Sequence, residues 1–230
     1  MNIGAAFDAM LQDRDWVMKL VIAGVIAFLA GVTAPILIGL VGSVILLGYQ
    51  VEIVRRARDR SPAALPLWQN FETFLSEGAL ALLAIAIYLL PLIVVMLIVV
   101  FSGGLVGGGG AMSILVLGVS CLLLPLTLIY SFVALAMHTI GMGLYAHDRR
   151  GGVYFDVQTL LAYVLGNTSA TFQYAINLLL LSVITAVIAL VPCIGWIIAP
   201  AISVFIGGML AGQYAAAILD GEKPKRGGDR

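Results

Sequence analysis

Between Val17 and Val54 the only charged side chains are Lys19 and Glu52. A helix of about 20 apolar residues crosses the hydrocarbon core of a bilayer, so this run is nearly two membrane thicknesses long. Lipid offers backbone N–H and C=O groups no partner, which restricts spanning segments to helices or closed barrels. The run is too long and too unbroken for barrel strands, which alternate. Gly31-Val32-Thr33-Ala34-Pro35 supplies turn and breaker chemistry in its middle. Two short spans are therefore expected, at about 17–31 and 35–54, with one long tilted helix as the alternative.

The same logic carries along the chain. A third span is expected at about 79–101, ended by the Gly-rich stretch from Ser102 to Gly110. A fourth lies within Ala111 to Ala146, a run longer than one membrane thickness, with 116–146 as its ordered part and a kink at Pro125. The fifth and sixth are expected at about 172–191 and 196–219, joined by the turn Pro192-Cys193-Ile194-Gly195. Residues 1–219 thus read as a single all-α integral membrane domain, and 220–230 as a polar cytoplasmic tail. No cleavable signal peptide is expected, because Asp8, Asp13 and Asp15 stand where a basic segment is required.

Composition agrees. The chain is 62% hydrophobic and 10% charged, with a mean hydropathy of +1.10, against about 25% charged in a soluble domain. Twelve Lys and Arg balance twelve Asp and Glu, which gives no basic excess for nucleic acid. Two Cys exclude a disulfide framework and a four-thiolate zinc site.

Six spans bring every Lys and Arg to one side. They fall before or just inside the start of the first span (Arg14, Lys19), in the second and fourth connections, and after the sixth; the turns at 31–34, 102–110 and 192–195 carry no charge. By the positive-inside rule this predicts a multi-pass protein of the cytoplasmic (inner) membrane with both termini cytoplasmic.

A weak triple repeat organises the spans into three hairpins. Each is preceded by a segment expected to form a short interfacial amphipathic helix. In the first, Ile3, Phe7, Met10 and Leu11 oppose Asp8, Gln12 and Asp15. In the second, Trp68, Phe71, Phe74 and Leu75 oppose Asn70, Thr73 and Glu77. The third carries Val153, Val157, Leu160, Leu161 and Val164. Each hairpin leaves through a Gly–Tyr pattern: Gly48-Tyr49, Gly143-Leu144-Tyr145, Gly212-Gln213-Tyr214. Those tyrosines suit an aromatic belt at the membrane surface.

Asp15-Trp16-Val17-Met18-Lys19-Leu20, then Gly48-Tyr49, Arg55-Arg56, Leu65-Pro66-Leu67-Trp68 and Gly78 form a recognisable series. In it the chain resembles an uncharacterised family of prokaryotic multi-pass membrane proteins known only as a domain of unknown function. The family usually has an acidic residue where Leu67 stands. The resemblance implies a membrane location and no known activity.

The sequence holds no phosphate-binding loop, His-Glu-x-x-His or Cys-x-x-Cys motif, and no cofactor or metal site is expected. His138 is the one ionisable group deep inside a span, which makes it a candidate polar site. It is expected to hydrogen-bond across to a neighbouring helix through Asn177, Thr185 or Gln213. Glu52 is expected to pair with Arg55 or Arg56 at i,i+3 or i,i+4. Arg55, Arg56, Arg58 and Arg60 are candidate contacts for anionic headgroups. Gly208 and Gly212 form a Gly-x-x-x-Gly pattern suited to close helix packing, within the chain before dimerisation. Cys121 and Cys193 both fall toward the outer boundary, where they are either free or bridged.

Three functions remain open. The leading one is a non-enzymatic scaffold, assembly or regulatory component, with membrane lipids and a protein partner contacting its helix faces and cytoplasmic loops. The second is a transporter or channel for a small or lipophilic solute, for which repeats are suggestive. The third is an intramembrane lipid-processing enzyme with His138 as base, which lacks a convincing nucleophile and orienting groups.

Overall fold

A computed structural model describes residues 1–36, 38–59, 61, 65–105 and 111–219. Regular structure among them is entirely helical: α1 (Ile3–Leu11), α2 (Trp16–Thr33), α3 (Ile38–Arg58), α4 (Phe71–Leu105), α5 (Ala111–Asp148), α6 (Val157–Gly166), α7 (Thr168–Ala189) and α8 (Ile194–Leu219), with short 3-10 turns at Ala34–Ile36 and Gly151–Phe155. Six helices are long and apolar enough to cross a membrane, in the stretches Trp16–Thr33, Ile38–Arg58, Phe71–Leu97, Leu123–Asp148, Thr168–Ala189 and Ile194–Leu219. The chain is thus a multi-pass helical membrane protein. The long first run is two helices, parted where Pro35 sits in a 3-10 turn. The helix α5 continues through Pro125. The expected tail at 220–230, Arg60 and the Gly-rich residues 106–110 lie outside the described residues.

The spans divide into an inner and an outer set. Helices α8, α3 and α5 have 61%, 44% and 33% of their most apolar stretch buried, whereas α2, α4 and α7 have 28% or less. The inner three pack against one another. Each outer helix lies between its own inner partner and the inner helix of the preceding hairpin: α2 against α3 and α8, α4 against α5 and α3. Helix α7 packs on α8 and reaches α5 through a hydrogen bond between Tyr174 and Thr139, 3.1 Å.

The segments before the hairpins complete this ring. Tyr49, midway along α3, stacks on Trp68 at 4.0 Å and donates its hydroxyl to the Pro66 carbonyl at 3.0 Å. Tyr145, leaving α5, packs on Tyr154 at 5.4 Å. Helix α8 holds α1, where Gln213 Oε1 accepts from the Asn2 N–H at 2.9 Å. Each hairpin therefore grips the entrance of the next, and the last grips the first. The tyrosines do not form an aromatic belt: Tyr49 and Tyr214 are fully buried, the latter stacked on Tyr174 at 4.5 Å. Tyr49 fills the seam between the first and second hairpins, and Tyr214 the contact of α7 with α8 inside the third.

Two of the three expected interfacial helices form. Asn2 caps α1 by accepting from the Gly4 and Ala5 N–H groups, and Asp156 caps α6 by accepting from Thr159. The second does not stand apart: from Phe71 onward it makes the first turns of α4. No breaker intervenes, because Gly78 is used instead for close approach. A Cβ there would strike the Val44 carbonyl, and one at Gly48 the Phe74 carbonyl, so α3 and α4 meet backbone to backbone.

Candidate functional site: an arginine–glutamate brace and a buried histidine

The end of α3 carries Glu52, Arg55, Arg56 and Arg58 one turn apart, and all four turn toward protein. Glu52 pairs with Arg55 (i,i+3) and accepts from Arg56 Nε at 3.0 Å (i,i+4). Arg55 reaches further: Nη2 donates to Glu77 Oε1 of α4 at 2.9 Å, and Nε to the Ala146 carbonyl near the end of α5 at 3.1 Å. Each of its three nitrogens is bonded to protein, which makes Arg55 a brace between α3, α4 and α5. Arg58 donates to the Gly143 carbonyl at 2.6 Å. These guanidinium groups thus engage carbonyls near the C-terminus of α5, where a helix presents negative charge.

Glu77 is the hub. Its side chain is 3% exposed, and Oε1 also accepts from Arg149 Nη1 at 2.6 Å. Arg149 follows α5 directly at φ 57, the left-handed region that side chains with a Cβ rarely occupy. That turn of the backbone points its guanidinium back to α4. A second buried ion pair, Lys19 Nζ to Asp13 Oδ2 at 2.7 Å, sits at the start of α2, and Lys19 also donates to the Leu65 carbonyl at 3.0 Å. Sequence reasoning missed Glu77, Arg149, Asp13 and Lys19 as structural ions. Glu77 read as one polar residue on an amphipathic face, and its partners lie 22 and 72 residues away. The signal that could have found it was its position one residue before Gly78, where two backbones touch.

Between these ions a cleft of about 500 Å3 opens at the charged edge, lined by Arg55, Arg56, Arg149, Gln69, Asn70 and Thr73 among others. Glu52 lines it too, and Arg55 and Arg56 are paired with Glu52 and Glu77, so an acidic group entering the cleft would meet chiefly Arg149, 58% exposed, with two amides and a hydroxyl.

His138 lies deeper on α5, 2% exposed. The expected hydrogen bond to Asn177, Thr185 or Gln213 does not form. Asn177 donates to the Gln173 carbonyl one turn back, Thr185 to that of Leu181, and Gln213 sits with Asn2 at the charged edge. Short polar side chains in a helix satisfy themselves on the preceding turn, which leaves none for the imidazole. Its ring stacks on Tyr154 at 5.7 Å and meets Tyr88 edge-on at 6.5 Å. Tyr154, in the 3-10 turn outside the spans, has its phenol pushed up by burial and stays protonated.

Gly208 and Gly212 face α3 within the chain: a Cβ on Gly208 would come to 3.0 Å from Ile53, and one on Gly212 to 2.5 Å from Ala57 and 2.9 Å from the Val54 carbonyl. Cys121 and Cys193 are free and exposed.

The model of one protein family, described as "Protein of unknown function (DUF4013)", matches residues 31–199. The chain belongs to the DUF4013 family. Among curated proteins and solved structures, none matches. The DUF4013 stretch takes in Glu52, Arg55, Arg56, Glu77, His138 and Arg149, and so includes the whole brace. It stops before Gly208, Gly212 and Gln213.

Proposed function

We propose that this protein is a non-enzymatic component of a membrane assembly, a scaffold or regulatory subunit that offers its charged edge and lipid-facing helices to a partner. The carrying observation is the ion network of Glu52, Arg55, Arg56, Glu77 and Arg149, which ties α3, α4 and the end of α5 into one frame. A transporter that alternates between two openings separates packed helices in each cycle. Parting Arg55 from Glu77 would cost about 3–5 kcal/mol, the loss typical of breaking a buried pair. A static frame meets no such cost. The arginine-lined cleft beside it suits an acidic segment of a partner, with anionic headgroups gathered around the same edge.

The one-sided distribution of Lys and Arg supports an orientation with this edge toward the cytoplasm. Purification from native membranes in mild detergent tests the function. A protein partner is expected in fixed ratio, and the double variant Arg56→Glu, Arg149→Glu is expected to release it. Recovery of the chain alone, together with solute-dependent flux in liposomes, would replace the scaffold by the transporter.

A further inference from the structure

A cavity of about 150 Å3 lies where α3, α5, α7 and α8 meet, lined by His138 with Gln50, Tyr174 and Ser203 and by leucines such as Leu47 and Leu181. Neither ring nitrogen of His138 has a hydrogen-bond partner among the described residues, although the side chain is almost wholly enclosed. A neutral imidazole presents one N–H and one lone pair, and inside a span both are costly to leave unmet. The ring packs against Tyr154 and Tyr88, and neither supplies it with a hydrogen bond.

We propose that this cavity binds an uncharged lipophilic molecule bearing one hydroxyl or carbonyl, which His138 engages. No charged side chain lines the cavity, so an ion would enter without a counter-charge. The wall is mainly aliphatic with a few convergent polar groups, the usual make-up of a small-molecule pocket. An engineered apolar cavity of about this volume takes up benzene, so the ligand's buried part is one six-membered ring or its equivalent. The inference stands on different residues from the ion network and does not depend on the scaffold function.

The test uses the full chain in lipid nanodiscs with 15N-labelled histidine. There are two histidines, and the exposed His147 is assigned by His147→Asn, which leaves the cavity intact. The probes are para-cresol and toluene, one ring with and without a hydroxyl. Cresol is expected to move the His138 nitrogen signals along a saturating curve, and toluene to bind about tenfold more weakly for want of the hydrogen bond. Gly207→Ala adds a methyl to the wall with its nearest neighbours at 3.6 and 3.8 Å, so the helix is kept while the cavity shrinks. Cresol binding is expected to weaken several-fold. A shift that never saturates, equal responses to the two probes, or an unchanged response in Gly207→Ala would each overturn the proposal. So would magnetisation transfer from water to His138 that cresol fails to displace, which would make this a hydrated cavity.

Discussion

Glu77 and Arg149 share a hydrogen bond of 2.6 Å, yet they are not equal partners energetically. The Glu77 side chain is 3% exposed and that of Arg149 58%. Removing Glu77 leaves Arg55 half-buried beside an unfilled position, so Glu77→Leu is expected to cost about 3–5 kcal/mol. Arg149→Gln loses a pair that water already screens, and is expected to cost about 1 kcal/mol or less. Thermal denaturation of the purified variants in detergent measures the difference. Equal losses would mean that the brace does not run through Glu77. Glu52 was legible from its spacing alone, since both its partners are within four residues. The rest of the network was not, because its bonds join helices whose contact no local pattern reports. His138 shows the reverse: its depth was plain in the sequence, but not that Asn177 and Thr185 would bond to their own helix and Gln213 to Asn2.

Helices meet where glycines permit. Gly48 and Gly78 let α3 and α4 touch backbone to backbone, whereas Gly118 on α5 has no atom within 4 Å of where a Cβ would stand. Gly78→Val is therefore expected to destabilise by about 1–3 kcal/mol or more through overpacking. Gly118→Ala should be neutral or stabilising by up to about 1 kcal/mol, the ordinary gain of alanine over glycine in a helix. Melting curves of the two variants check the pair, and similar losses in both would remove close approach as the reason for Gly78. The six spans could be read from apolar length because the bilayer dictates it. The missing second interfacial helix could not, since a segment with an amphipathic pattern gives no sign of whether it joins the span that follows.

The six spans form an inner triangle and an outer ring, with the described Arg and Lys residues at one edge. That arrangement predicts a labelling pattern. The native Cys193, in the turn between α7 and α8, should react with a membrane-impermeant maleimide in intact cells carrying Cys121→Ser. In a cysteine-free chain, Gly152→Cys should react only after permeabilisation; its Cβ would have open space around it. Labelling of both from outside would dismiss the hairpin topology. The ring's closure of α1 onto α8 also sets a schedule. A ribosome delivers the helices in order, so the seat of α1 is the last to be made. Until α8 arrives, α2 lacks one of its two inner neighbours and α1 lacks the helix it packs on most. A chain halted after α5 would hold its brace but not its ring, and would present that unfinished side to membrane quality control.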